Sequence, residues 1–165
     1  MSEPPIRPAT DADWRQIWPF FAAIVADGES YAYPEDLTSE QARDLWMESP
    51  PGLTVVLEEE GRVLGTAKMG PNRLSRGDHV GTASFMVDPT ATGRGIGHAL
   101  AAYAVDWHRS HGYAGIQFNA VVETNTSAVH LWQSLGFQIV GTVPGAFRSR
   151  RHGRVGLHVM YLPLT

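Results

Sequence analysis

Residues 88–100 read DPTATGRGIGHAL: an Asp-Pro stop, three evenly alternating glycines and the first turn of an apolar helix. Glycine opens a helix poorly unless the backbone must turn sharply or something must approach it closely. The G-x-G-x-x-G spacing of a dinucleotide-binding turn is not met, because Gly93, Gly95 and Gly97 alternate. No Lys-Ser or Lys-Thr follows the last glycine, so the phosphate loop of nucleoside triphosphatases is not met either. A tight strand-to-helix turn and an anion cradle remain. The first N–H groups of a helix lack internal partners, glycines leave them reachable, and the helix dipole favours negative charge there. A pyrophosphate suits such a cradle, with Arg94 adding charge.

Upstream of this stretch, HVGTASFMV predicts a strand that ends at Asp88-Pro89, and LTVVLEEEGRVLGTAKMG predicts a hairpin turning at Glu60-Gly61. Before them come a short strand, IRPAT, and a helix capped by Thr10 or Asp11. Trp14, Ile17, Trp18, Phe21, Ala22 and Val25 form its stripe, and a kink or restart is expected at Pro19. After a loop, SEQARDLWM predicts a second helix. Downstream, the glycine segment leads into a helix with a stripe at Ile96, Leu100, Tyr103, Ala104 and Trp107, ended by Gly112. YAGIQFNAVV is a strand, NTSAVHLWQSLG a helix capped by Asn125, and FQIVGTV and GRVGLHVMYL two last strands around a basic loop. The order β-α-α-β-β-β-α-β-α-β-β predicts an α/β fold, a mixed sheet with helices on its faces.

The chain has 165 residues and no linker, repeat or low-complexity tract, which predicts a single domain over 1–165. A formal net charge of -4 gives no basic field for nucleic acid, so no nucleic-acid partner is expected. Cysteine is absent, which excludes disulfides, thiolate metal sites and a cysteine nucleophile. No metal is expected. No apolar run approaches the roughly 20 residues of a membrane span, and MSEPPIRPATDADW lacks the pattern of a leader peptide. The cytoplasm is the expected location and no membrane partner is expected.

The strand end FMVDP followed by TATGRGIGHAL resembles the acetyl-CoA motif of the GCN5-related N-acetyltransferases, written Arg/Gln-x-x-Gly-x-Gly/Ala. Thr92 stands where that motif has Arg or Gln. A second match lies downstream, where Asn125-Thr126-Ser127-Ala128 and Gly136-Phe137 fit the family's N-x-x-A…GF run. The resemblance extends from IRPATDAD to the final strand. It is strongest to the azetidine-2-carboxylate N-acetyltransferases and to relatives of phosphinothricin acetyltransferase, both small-molecule enzymes. It implies a single acyl-CoA N-acyltransferase fold, with acetyl-CoA as cosubstrate. The cofactor-binding residues it implies are Phe85, Met86, Val87, Thr92, Gly93, Arg94, Gly95, Ile96, Gly97, His98, Asn119 and Asn125. A homodimer is a further implication.

The reaction implied is direct acetyl transfer to the amine of a small molecule, an amino acid or a cyclic analogue. Thr82, Asn119 and Tyr31 are the expected substrate-binding residues. Tyr31 and Tyr33 either line an acceptor pocket or plug the core. The attacking amine must be neutral, so a base is needed, and Glu29 and Glu123 are the catalytic candidates, with His79 beside them. Trp132 occupies the place of the family's tyrosine acid, and an indole N–H is no useful proton source. The basic run FRSRRHGR is either a solvated hairpin tip or a trap for an acidic acceptor. The rival reading is a non-catalytic acyl-CoA-binding sensor or partner subunit on the same fold.

Overall fold

The computed structural model describes residues 5–165. Residues 1–4, part of the stretch read for a leader, lie outside the described residues. The elements run β1 (Ile6–Pro8), α1 (Trp14–Asp27), α2 (Ser39–Trp46), β2 (Leu53–Glu59), β3 (Arg62–Pro71) and β4 (Val80–Val87). They continue α3 (Ile96–Ser110), β5 (Gly115–Val122), α4 (Thr126–Ser134), β6 (Gln138–Ser149) and β7 (Gly153–Pro163). One seven-stranded sheet results, in the order β1-β2-β3-β4-β5-β7-β6. Among the described residues only the β4–β5 pair is parallel, so the sheet is mixed as the element order predicts. No helix among the described residues is long and apolar enough to cross a membrane.

Helices cover both faces because successive side chains of a strand point to opposite sides. Val56, Val63 and Met86 face α1 and α2, against Ile17, Phe21, Ala42 and Trp46. Val55, Leu57, Leu64 and Ala67 face α3, against Ile96, Leu100 and Ala104. α4 joins that second face through Trp132, packed with Ala101, Phe118 and Phe137. Close approach of α3 needs Gly65, where a β-carbon would stand 2.8 Å from Ile96 Cγ2 and 2.9 Å from Leu100 Cδ1.

Local chemistry sets the punctuation. Glu60 and Gly61 both have positive φ, 52° and 79°, the conformation of a two-residue hairpin turn that follows strand twist. Thr10 stands at the head of a short 3-10 turn that leads into α1, and Asp13 accepts the Thr10 N–H at 2.7 Å. Arg7 in turn grips Asp13 through two hydrogen bonds of 2.9 Å.

Two expectations are corrected. Of the kink and the restart expected at Pro19, the restart is excluded: α1 runs unbroken from Trp14 to Asp27, with Ile17, Phe20, Phe21 and Val25 buried along one stripe across the proline. β6 does not stop at Val143. Register shifts at Ile139/Gly141 and Val143/Phe147 absorb Pro144 and Gly145, and pairing resumes with Phe147 opposite Val155. The basic run is therefore mostly strand, with Arg150–His152 as its turn.

Candidate functional site

β4 and β5 pair only at their first residues, Val80 with Gly115 and Gly81 with Ile116, and then diverge. The register of β4 against β3 decides what faces the resulting gap. Asn72 N–H bonds the Val80 carbonyl at 2.8 Å and Asp88 N–H bonds the Leu64 carbonyl at 2.8 Å, so the even-numbered residues of β4 exchange hydrogen bonds with β3. Ala83, Phe85 and Val87 consequently turn their peptide groups toward the gap. Met86, expected with them at the cofactor, has its peptide committed to Thr66 and its side chain 2% exposed in the α1–α2 core.

An aromatic cluster of Phe85, Phe118 and Trp132 packs beside the gap on the α3–α4 face. Trp132 lies 4.8 Å from Phe85 and 4.6 Å from Phe118, centroid to centroid, and is 8% exposed. This gives a packing reason for an indole at the family's tyrosine place. A cleft of about 1060 Å³ runs along the gap, bounded by β4, β5, the start of α4, the α1–α2 loop and the β6–β7 turn. Of the expected residues, Thr82, Phe85, Met86, Val87, Thr92, Gly97, Asn119, Asn125, Glu29 and Tyr31 line it.

The glycine loop forms one end. Gly93 and Gly95 have φ of 80° and 76°, and a β-carbon on either would meet nothing within 4 Å. The first α3 bond inside this region is Ala99 N–H to Gly95 carbonyl at 3.0 Å, which leaves the N–H groups of Ile96, Gly97 and His98 without helical acceptors. Thr92 and Gly97 bracket the loop and line the cleft, whereas Gly93, Arg94, Gly95, Ile96 and His98 do not. Ile96 is 5% exposed and belongs to the core. Arg94 pairs with Glu59 on the β2–β3 hairpin, so its charge is already shared.

Asn125 stands at the N-cap of α4 but does not cap it. Its side chain bonds no backbone N–H, and its Oδ1 accepts only the Ser127 hydroxyl at 3.3 Å. The amide is left facing the cleft. Asn119 is oriented by two neighbours, donating to Asn72 Oδ1 at 2.7 Å and accepting from Gln117 Nε2 at 2.9 Å.

At the other end, the β6–β7 turn closes onto the α1–α2 loop. Glu29 Oε2 accepts the Ser149 hydroxyl at 2.6 Å and Oε1 accepts the Arg151 N–H at 2.9 Å. The Ser149 hydrogen bond holds this carboxyl below the usual carboxylate range. Arg150 pairs with Glu35, and Arg151 lies 3.3 Å from Asp27. The tip of the basic run is exposed, with Arg150 and Arg151 each paired to a carboxylate and Arg151 and His152 lining the cleft. Glu123 is exposed, accepts the Gly156 N–H at 2.7 Å and does not line the cleft, nor does His79. Tyr31 reaches the gap and Tyr33 stacks on Phe21, and both pack against the α1–α2 core. The docking of the hairpin carried no sequence signal, since 120 positions separate Glu29 from Ser149. No group of residues suited to hold a metal ion occurs among the described residues.

The family model for GNAT acetyltransferases matches residues 14–137. A GCN5-related N-acetyltransferase from Kribbella flavida is 55% identical, with 98% of both chains covered and a TM-score of 0.95. YncA of Salmonella typhimurium, a putative acetyltransferase solved with its cofactor acetyl-CoA, is 26% identical over 99% of this chain and 95% of that one, with a TM-score of 0.82. The L-amino acid N-acyltransferase MnaT of Escherichia coli is 33% identical over 91 residues, 54% of this chain. That match spans only 52% of MnaT.

Proposed function

Because the chain belongs to the GNAT acetyltransferase family, we propose that it transfers an acetyl group from acetyl-CoA to the amine of a small molecule, an amino acid or cyclic amino-acid analogue. The observation that carries this reading is the β4–β5 gap, where the peptides of Ala83, Phe85 and Val87 are free of β5 and lead toward the first turn of α3. Acetyl-CoA, when bound, supplies an activated thioester carbonyl. Phe85 and Val87 would hold its extended arm, the Gly93–His98 turn its pyrophosphate, and Asn119 and Asn125 the polar groups between. The open space above Gly93 and Gly95 fits such an anion. A gap N–H aimed at the carbonyl oxygen stabilises the charge that develops there.

The acceptor enters from the α1–α2 side, against Thr82, Tyr31 and Asn119. Glu29 would receive the amine proton, a reading supported by its place in the cleft lining, outside which Glu123 lies. The attacking amine must be neutral, and an α-amino group, with a pKa of about 7.7 to 8.0, loses its proton more readily than a side-chain ammonium of about 10.4. The similarity to an L-amino acid N-acyltransferase supports the same acceptor class. We take residues 1–165 as one catalytic domain, with a homodimer as its assembly.

Trp132, an indole where a proton donor is expected, favours one rival: an acyl-CoA-binding sensor without turnover. Purified protein with acetyl-CoA and a panel of amino acids and amines separates the two. Acceptor-dependent thiol release with a product heavier by one acetyl group supports the enzyme. Tight binding without release across the panel overturns it.

A further inference from the structure

Three residues of β4 turn their peptides into the gap, and at Phe85 both polar groups are already engaged by one side chain. The Phe85 N–H donates to the Tyr31 hydroxyl oxygen at 2.9 Å, and the Tyr31 hydroxyl donates to the Phe85 carbonyl. A single hydroxyl therefore does for Phe85 what a paired strand would do. Its ring is fixed from both sides, stacked on Tyr33 at 5.6 Å and 13° and set edge-on to Trp46 at 6.4 Å and 88°. Burial raises the Tyr31 pKa, so the hydroxyl stays a neutral hydrogen-bonding group and not a ready proton source.

An extended thioester arm lying along β4 needs the same donor and acceptor. We propose that Tyr31 is a positioning residue that plugs the Phe85 peptide in the free protein and is displaced when an acyl-CoA arm takes its place. This inference rests on the reading of the gap as the acyl-CoA site. Displacement has a consequence for the acceptor. Tyr31 belongs to the 28–35 segment, which also carries Glu29 and Glu35, the partners of the β6–β7 turn. Moving the hydroxyl off β4 thus moves a side chain of the segment that closes the acceptor end of the cleft.

Tyr31→Phe keeps the ring and its stacking while removing both hydrogen bonds. Calorimetric titration with acetyl-CoA is expected to show about tenfold tighter binding than wild type, since the competing hydroxyl is gone. Amide exchange at Phe85, followed by NMR without ligand, is expected to be at least tenfold faster in the variant. Wild-type binding with no gain, or a loss, in Tyr31→Phe overturns the plug alone. No acetyl-CoA binding by either protein overturns the cofactor reading and the plug together. A readout on the wild type covers a variant that fails to fold. The Tyr31 ring resonances are expected to shift on adding acetyl-CoA, and unmoved resonances with saturated binding overturn the proposal.

Discussion

Glu29, two residues past the end of α1, accepts a 2.6 Å hydrogen bond from Ser149 at the end of β6 and so ties the first helix to the last hairpin. The same carboxylate takes the Arg151 N–H, and Arg150 N–H bonds the Gly28 carbonyl at 3.3 Å. One end of the cleft is therefore closed by contacts between segments at opposite ends of the chain.

Glu29→Gln tests that closure through pH. The folded-state pKa of Glu29 is lowered from 4.5, so its stabilising effect is present above that value and disappears as pH falls through the folded value. Thermal melts are expected to show the variant less stable than wild type at pH 7, with the gap narrowing as pH falls below about 4.5. A constant gap from pH 7 to pH 3 contradicts the assignment.

His108 makes the opposite chemical type behave with the same sign. It is fully buried on α3, its Nδ1 bonds the Ala104 carbonyl at 2.7 Å, and its Nε2 has no partner. Burial lowers its pKa from 6.5, so the neutral ring's contribution is present above 6.5 and lost as pH falls through the lower folded value. Chemical denaturation at pH 7, 6 and 5 is expected to show a decline in wild type that is blunted in His108→Asn.

Gly81 lies against that ring, where a β-carbon would stand 2.2 Å from His108 Cδ2. Gly81→Ala is expected to cost about 1–3 kcal/mol through overpacking. It sits at the last paired position before β4 and β5 part, so acetyl-CoA affinity is expected to fall in the folded fraction as well. Denaturant midpoints and calorimetric titration read the two effects separately.

Gly95→Glu places a carboxylate and a strained φ of 76° at the cap of α3. Acetyl-CoA affinity is expected to fall at least about 100-fold, because the carboxylate repels the pyrophosphate and competes with it for the helix N–H groups. Gly95→Asn, which tolerates left-handed backbone, controls for strain. Binding by Gly95→Glu within threefold of that control rejects the anion cradle.

Trp132→Ala is expected to destabilise the protein by about 3–5 kcal/mol, because it leaves a cavity beside Phe85, Phe118 and Phe137. Trp132→Phe is expected to retain most of the stability and the acetyl-CoA binding. A Trp132→Phe protein that folds but loses all turnover would give the indole a chemical role beyond packing.

Much of the architecture was legible because it is local. Glu60-Gly61, Gly112 and Gly136 announce turns, and all four residues take positive φ in the fold. Periodicity and turn residues recover the four α-helices and seven strands of the described residues in order, but not the 3-10 turns at Asp11–Asp13, Ser75–Gly77 and Pro89–Ala91. The glycine loop could be separated from two other phosphate-binding patterns by its spacing and by the absence of a following Lys-Ser or Lys-Thr. Local signals misled where tertiary packing outweighed them, as at Pro19 inside α1 and at Pro144-Gly145 inside β6.

The sequence by itself determined the order of elements, the family resemblance and the cofactor class, since these rest on neighbours within a few positions. Only the tertiary structure decided which peptides of β4 face the gap, because strand register shifts a whole set of groups by one residue. It also decided that Arg94 answers Glu59, that Asn125 leaves its helix uncapped, and that Tyr31 crosses 54 positions to hold Phe85. Such pairings belong to the folded surface, where distance along the chain no longer ranks the partners.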